Sequence, residues 1–522
     1  RTTKKPPACA TKSTSWRTRP NPAFLRVDYQ PLSIPPGVFS VSILHFTPSI
    51  SALLMYPCRI TALFLTAGML LLGALNPFMT AAQSTNTPRT YRYTLNWDAP
   101  NTHTYIIELT TETEPGAETV FRLPRWRPGR YIMQDYAAAV SHFEAQDGEG
   151  NSLNWRKTGI SDWTVDNPNN GQVTIRYRYY AHYTDAGSSQ RSEGVAYFNP
   201  INIFMHVAGD YDSPCELYTP SLPKEWKQAT ALPQVDQTHN RFATESYHQL
   251  ADSPTIFAEE LTQFEFDYNG IPVYLHFYGQ FAADKKKAEN KLVDAVTRIM
   301  DAQSKVFGNT PVPYYHFIYY LVPYRYRHAV EHENSSMYVL PDNVADNLDA
   351  LDGLLGITSH EFWHVWNVKR IRPAALWPYQ YNDPAYTRLH WFTEGITDYY
   401  THLMLLRAGL MSEEEYFNKI ADLYTRLDNS PAADVVSPAS SSFNSWLAYS
   451  NYNSPHHRAS YYSLGSRVGL LLDWELRKLT GGEVSLDVLF KHLWDTYYLK
   501  GKGVPEDGVL RAAEELTGQS FQ

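Results

Sequence analysis

The sequence predicts an α+β protein: an all-β, sandwich-like region followed by a mostly helical one. Two observations carry this. From Tyr91 to about Phe257, short β-branched and aromatic runs are separated by dense turn signals. Beyond about Ala283 the apolar residues recur at helical spacing instead. The change falls near residue 259, giving a β domain over 83–258 and a second domain over 259–522.

Within the first domain, Tyr91–Trp97, Thr104–Thr110, Val173–Tyr180 and Ile201–Val207 read as strands. Turns are expected at Asp98–Asn101, Glu114–Gly116, Asp147–Asn151 and Asn167–Gly171. Strands Phe264–Tyr268 and Val273–Tyr278 open the second domain, and a polar-faced helix over Ala283–Val306 follows. Tyr315–Val322 is aromatic and β-branched, which predicts another strand. Helices dominate from there. The apolar run Leu351–Thr358 predicts a buried helix, ended by Asn367–Pro373 with its basic residues and proline. Phe392, Ile396, Tyr399, Leu403 and Leu406 mark a second helix, with Gly409 as its stop. A third opens near Ser460, buries Leu464, Val468, Leu471, Leu472, Leu476 and Leu479, and closes at Gly481-Gly482. Asn429–His457, rich in Ser, Pro and Asn, reads as a long loop forming a wall of a cleft. His456 and His457 in it read as exposed polar residues rather than ligands. Gly508–Leu516 is the last helix, and there are no internal repeats.

At 522 residues the chain has room for two or three domains with full cores. A hydrophobic content of 43% and a charged content of 19% are those of a folded protein. The net charge of −9 argues against nucleic acid as a partner. The 38 tyrosines and 13 tryptophans fit both β-rich packing and carbohydrate- or peptide-like surface contacts.

The N-terminus has its own logic. Residues 1–54 lack methionine and periodicity, and read as upstream sequence outside the natural protein. Met55 then begins a signal-peptide layout over 55–82: Arg59, the apolar run Ile60–Leu75, and small residues ending at Thr80-Ala81-Ala82. An uncleaved anchor is the competing reading, but the run is short for a bilayer. The expectation is an exported protein, periplasmic or extracellular, starting near Gln83, with no stable membrane insertion after cleavage. Cys215 would be its sole cysteine, since Cys9 and Cys58 precede that start.

The most informative stretch is His360-Glu361-Phe362-Trp363-His364. On a helix, residues four apart share a face. His360 and His364 can therefore hold one zinc ion from the same side, with Glu361 beside them to take a proton from water. A catalytic zinc needs a third protein ligand. The continuation H-x-x-G-x-x-H is excluded, because Asn367 and Arg370 stand where the Gly and His would be. Glu394, on the otherwise apolar face of the following helix, supplies the ligand instead: a buried carboxylate needs a metal or a cation. Asp398, one turn on, is placed to accept the second ring N–H of a ligand histidine.

These residues resemble the glycyl aminopeptidase family of gluzincin zinc metallopeptidases, family M61. The resemblance rests on the long block His360–Pro373, on Glu394–Tyr400 and on two further segments, and extends from about Tyr91 to the C-terminus. It implies a thermolysin-like catalytic domain, one catalytic Zn2+ and peptide substrates, with small N-terminal residues such as Gly or Ala preferred. The first further segment is Tyr326–Ser336, expected on an edge strand beside the metal. The family usually has Gly-Gly-Leu-Glu-His here; His328-Ala329-Val330 replaces the first three, while Glu331 and His332 match. They are the expected substrate-binding pair, Glu331 anchoring a free α-ammonium group. The second is Ser460–Gly465. Related aminopeptidases carry a Tyr three residues before such a Gly, whose hydroxyl donates to the oxyanion; that spacing selects Tyr462, with Tyr461 as rival. Leu123–Tyr131 resembles a marker of the family's N-terminal domain and is expected to be a rigid turn against the catalytic domain. A PDZ-type module, common in the family after the catalytic domain, has no room before Gln522, so a truncated chain or a protein lacking the module is expected. The leading reading is a zinc aminopeptidase. The alternatives are a thermolysin-type endopeptidase, which would not need Glu331, and a non-catalytic zinc-stabilised binding protein, which would not need Glu361 or Tyr462.

Overall fold

The computed structural model describes residues 89–281, 284–343, 352–447 and 459–521. The upstream segment, the signal-type segment, His456 and His457 lie outside the described residues. Among those described, no helix is long and apolar enough to cross a membrane.

The N-terminal region is mostly β-sheet and the C-terminal region mostly helical. Strands Tyr91–Trp97, Thr104–Glu112 and Gln172–Tyr180 are central in a seven-stranded sheet, and Glu118–Arg122 and Asp162–Asp166 in a four-stranded one. Alternation explains the layers. Tyr93, Leu95, Ile107, Leu109, Ile175 and Tyr177 of the large sheet share one core with Phe121, Trp163 and Val165 of the small one. Leu376, Tyr379 and Tyr381, from far along the chain, complete that core. The amides of Arg125 and Trp126 both donate to Tyr381 O, and the Trp126 indole donates to Gln380 O at 2.9 Å. The marker segment is thus tied to the catalytic chain.

Ile201–Val207 is not the strand its composition predicts. Pro200–Ile203 is a helical turn, and only His206–Val207 is extended. The reason is competition for backbone oxygens. Tyr93 donates to Met205 O at 2.7 Å, Tyr177 to Ile203 O at 2.5 Å and Tyr247 to Phe204 O at 2.7 Å. Phenols satisfy these carbonyls, so no strand ladder is needed. Part of the tyrosine excess is accounted for here.

In the second domain a five-stranded sheet runs in the order Thr262–Tyr268, Ile271–Tyr278, Tyr315–Val322, Ser335–Pro341, His328–Glu331. His328–Glu331 is the edge strand, antiparallel to its one neighbour, with Glu331 opposite Ser336. The helix Lys285–Phe307 starts on an Asp284 cap and stops at Gly308, where φ is +79°. It packs on the sheet through Leu292, Val296, Ile299 and Met300.

Two helical expectations need correction. Asn429–His457 is not all loop: Pro438–Phe443 forms a helix capped by Ser437, followed by a turn of 3₁₀-helix. In the helix Tyr461–Leu479, Leu471 and Leu479 are exposed, while Gly465, Ser466, Gly469 and Asp473 are buried with Leu464 and Leu476. Close backbone approach, rather than apolar character, selects the buried face. At Gly469 a β-carbon would lie 3.2 Å from the Tyr399 side chain.

Tyr247→Phe is expected to leave the Phe204 carbonyl without its donor and to destabilise the protein by about 1–3 kcal/mol. Urea denaturation with an unchanged midpoint would refute the clamp.

Candidate active site

Three elements meet at the site. The first is the helix Asp352–Trp363. Phe362 and Trp363, between the glutamate and the second histidine, are fully buried, with Trp363 stacked on Tyr400 at 4.0 Å. Gln303 clamps this helix by donating to Ser359 O at 2.8 Å. With that face locked in the core, His360 and His364 point the other way. The second element is one π-helical turn, Trp391–Gly395, which runs into the helix Ile396–Arg407. The wider turn carries Glu394 inward, as such bulges often do at functional sites. The third is the helix Tyr461–Leu479.

The structure brings His360, His364 and Glu394 together. Glu394 Oε2 lies 3.6 Å from His360 Nε2 and 3.4 Å from His364 Nε2. Donors about 2.0–2.1 Å from a tetrahedral ion sit roughly 3.4 Å apart, so the spacing fits one zinc ion. The other nitrogen of each ring is engaged. His364 Nδ1 donates to Asn367 O at 2.6 Å; His360 Nδ1 faces Asp398 Oδ1 at 3.0 Å and Thr401 Oγ1 at 3.2 Å. Both Nε2 atoms are thereby turned to the same point. Glu394 Oε1 is buried without a protein partner. Burial opposes its ionisation, but His364 and His360 hold the carboxyl well below the usual range. Buried acceptors converging with one oxygen unpaired suit a divalent cation.

Glu361 is buried beside this cluster. Burial raises its pKa to about 7; the neighbouring imidazoles oppose the shift, and Glu331 and Glu394 add to it. A carboxyl poised there is suited to proton transfer near neutrality. Glu331, His364 and Glu361 form a second group with donor atoms within 4.8 Å of one another. Glu331 is 4% exposed, and its Oε1 has no partner. His332, the expected second substrate residue, turns its Nδ1 to Asp252 Oδ1 at 2.9 Å, and Lys369 Nζ meets the same oxygen at 2.9 Å. Its Nε2 is buried without a partner.

The Tyr462 ring lies 6.3 Å from the His360 ring, while Tyr461 lies nearer His390, at 5.6 Å. The spacing to Gly465 has a structural cause. A β-carbon on Gly395 would lie 2.6 Å from Tyr461 O and collide with Gly465 Cα; one on Gly465 would collide with Trp391 O. The two glycines are the crossing point of the helices. Tyr462, three residues earlier, stands one turn away, over the metal-binding face.

Several site residues were not singled out from sequence. Asn367, read only as part of a helix stop, donates to Phe392 O at 3.0 Å and Thr397 Oγ1 at 3.1 Å, joining the histidine helix to the glutamate helix. Tyr131, from the β domain, stacks on His390 at 3.7 Å. His390 is fully buried with neither ring nitrogen partnered, and burial lowers its pKa to about 4. Gly129 has φ +79°, and a β-carbon there would lie 2.6 Å from Glu331 Oε2. The marker segment is therefore a roof against the Glu331 carboxylate. Its one glycine, Gly129, and its aromatic residues Trp126 and Tyr131 were the available signal.

Fold and site together define a metallo-aminopeptidase of two domains. Residues 92–259 match the M61 peptidase N-terminal domain and residues 353–468 match the M61 glycyl aminopeptidase domain. The chain belongs to the M61 glycyl aminopeptidase family. Among solved structures it is similar to an aminopeptidase N family protein from Idiomarina loihiensis, at 27% identity and a TM-score of 0.75 over 81% of this chain and 72% of that one. A two-domain M1 zinc metallopeptidase mutant bound to L-tryptophan is like it in fold, at 17% identity and a TM-score of 0.50, over 82% and 91% of the two chains. An M1 zinc metallopeptidase mutant from Deinococcus radiodurans, bound to a Tyr-Ser-Ala substrate, matches at 16% identity and a TM-score of 0.49, over 82% and 90%. No curated relative matches the chain.

Gly465→Ala is expected to push the Tyr462 helix off the Glu394 turn, lowering both thermal midpoint and turnover. A variant with wild-type values of both would remove the crossing from the account.

Proposed function

We propose that this enzyme is a zinc aminopeptidase that removes small N-terminal residues, Gly or Ala, from peptides. The observation that carries the aminopeptidase reading is Glu331: a buried carboxylate with an unpartnered oxygen, at the end of an edge strand and beside Glu361 and His364. An endopeptidase has no use for an anion there, since a chain interior carries no charge to meet it. A free α-ammonium group supplies the missing partner and selects chain ends.

His360, His364 and Glu394 would hold the ion, with Asp398 and the Asn367 carbonyl orienting the two rings. When bound, zinc supplies Lewis acidity toward the scissile carbonyl and lowers the pKa of a water toward neutrality. Glu361 takes the proton of the attacking water and passes it to the leaving amine. The Tyr462 hydroxyl donates to the carbonyl oxygen as negative charge develops on it. The aromatic arc of Tyr131, His390 and Tyr461, together with the Gly129 turn against Glu331, supports a small first residue. The signal-type layout after Met55 supports an exported setting for the enzyme.

Glu361→Gln is expected to retain zinc, measured by elemental analysis, while hydrolysis of an alanyl anilide falls at least about a hundredfold. Near-wild-type turnover would remove Glu361 as the base. Glu331→Gln is expected to keep the metal and to lose most of the preference for free over N-acetylated peptides. An unchanged preference would contradict the anchor.

A further inference from the structure

The substrate groove has a second charged end. Arg327 immediately precedes the edge strand, four residues before Glu331. It is exposed, and among the described residues it makes no hydrogen bond or ion pair. Its guanidinium lies over the histidine helix: β-carbons on Gly353 and Gly356 would sit 3.8 Å from its two terminal nitrogens. Gly356 is one turn before His360 on the same face. Glu361 and Asp398 act on Arg327 only through space. Glu331 acts on the other end of the cluster, at His364 and Glu361. The face carrying His360, His364 and Glu394 thus lies between Glu331, one oxygen of which has no partner, and Arg327, which is unpaired among the described residues.

The backbone between them runs along the outer edge of the sheet. The edge strand has no second strand neighbour among the described residues. His328 stands where the family has glycine, and its Nδ1 accepts from the Ala186 amide at 3.2 Å, which fixes the start of the strand. The cleft beside it, with a volume of about 770 Å3, has Arg327, His328 and Ala329 on one side and Tyr131, Tyr461 and Tyr462 on the other. An extended peptide adding antiparallel to this edge, with its ammonium group on Glu331, runs toward Arg327. The strand covers about 13–14 Å from Arg327 to Glu331 at about 3.4 Å per residue. An extended tripeptide spans about 10 Å. The long arginine side chain closes the difference.

We propose that Arg327 receives the α-carboxylate of the substrate, so that the enzyme is tuned to free-acid peptides of about two to four residues. This rests on the aminopeptidase reading, whose Glu331 sets the direction of the bound chain. The test compares Ala-Ala-Ala with its C-terminal amide in the zinc-loaded enzyme, before and after Arg327→Gln. The wild type is expected to favour the acid in kcat/KM by about five- to tenfold, chiefly through KM. Arg327→Gln is expected to bring the acid-to-amide ratio to about one, and Arg327→Lys to restore part of it. A wild-type ratio of one, or a ratio that survives Arg327→Gln, would overturn the assignment. The same two peptides titrated against Glu361→Gln, with and without Arg327→Gln, give the ratio as a ratio of Kd values. An enzyme that hydrolysed no alanyl anilide would overturn the aminopeptidase reading, and the Kd ratio would still decide the role of Arg327.

Discussion

The whole arrangement depends on keeping one carboxylate dry. Glu394 is buried, one oxygen faces two imidazoles, and the other has no hydrogen-bond partner among the described residues. An isolated ion in that position costs several kcal/mol. It is tolerable only because the scaffold over-determines its place. The π-turn aims it, Asn367 joins its turn to the histidine helix, and the Gly395–Gly465 crossing leaves no slack for the turn to swing outward. A cation at the focus of the three groups converts this penalty into binding energy, so metal affinity and folding are linked.

The β domain contributes residues to the candidate site. Tyr131 and Gly129 reach the site from one side, and Tyr379 and Tyr381 return from the catalytic chain into the β core. The exchange ties the roof over Glu331 to the β core through Arg125, Trp126, Gln380 and Tyr381. Glu361, grouped with Glu331, is itself buried, and burial is the largest cause of its raised pKa.

Much of this was legible in the sequence. The strands Tyr91–Trp97 and Tyr315–Val322 and the helix ending at Gly308 follow directly from alternation and capping. The convergence of His360, His364 and Glu394 was legible because the histidines stand four apart and Glu394 breaks an apolar helical face, both local signals. What was not legible depends on distant partners. Nothing near Ile201 announces that tyrosines from other strands will take its carbonyls. The buried face of the Tyr462 helix is chosen by small residues meeting a neighbouring backbone, which hydrophobic spacing misreads. The contribution of Tyr131 requires knowing that two domains touch.

The tyrosine clamps on 203–205 also bear on how the chain behaves in company. Ile201-Asn202-Ile203-Phe204-Met205 is uncharged and rich in β-formers, the composition of a segment prone to intermolecular stacking. Folded as a turn, with its carbonyls held by phenolic hydroxyls, it presents no open ladder to a second molecule. The same hydroxyls that shape the β core thus also occupy the carbonyls such stacking would use.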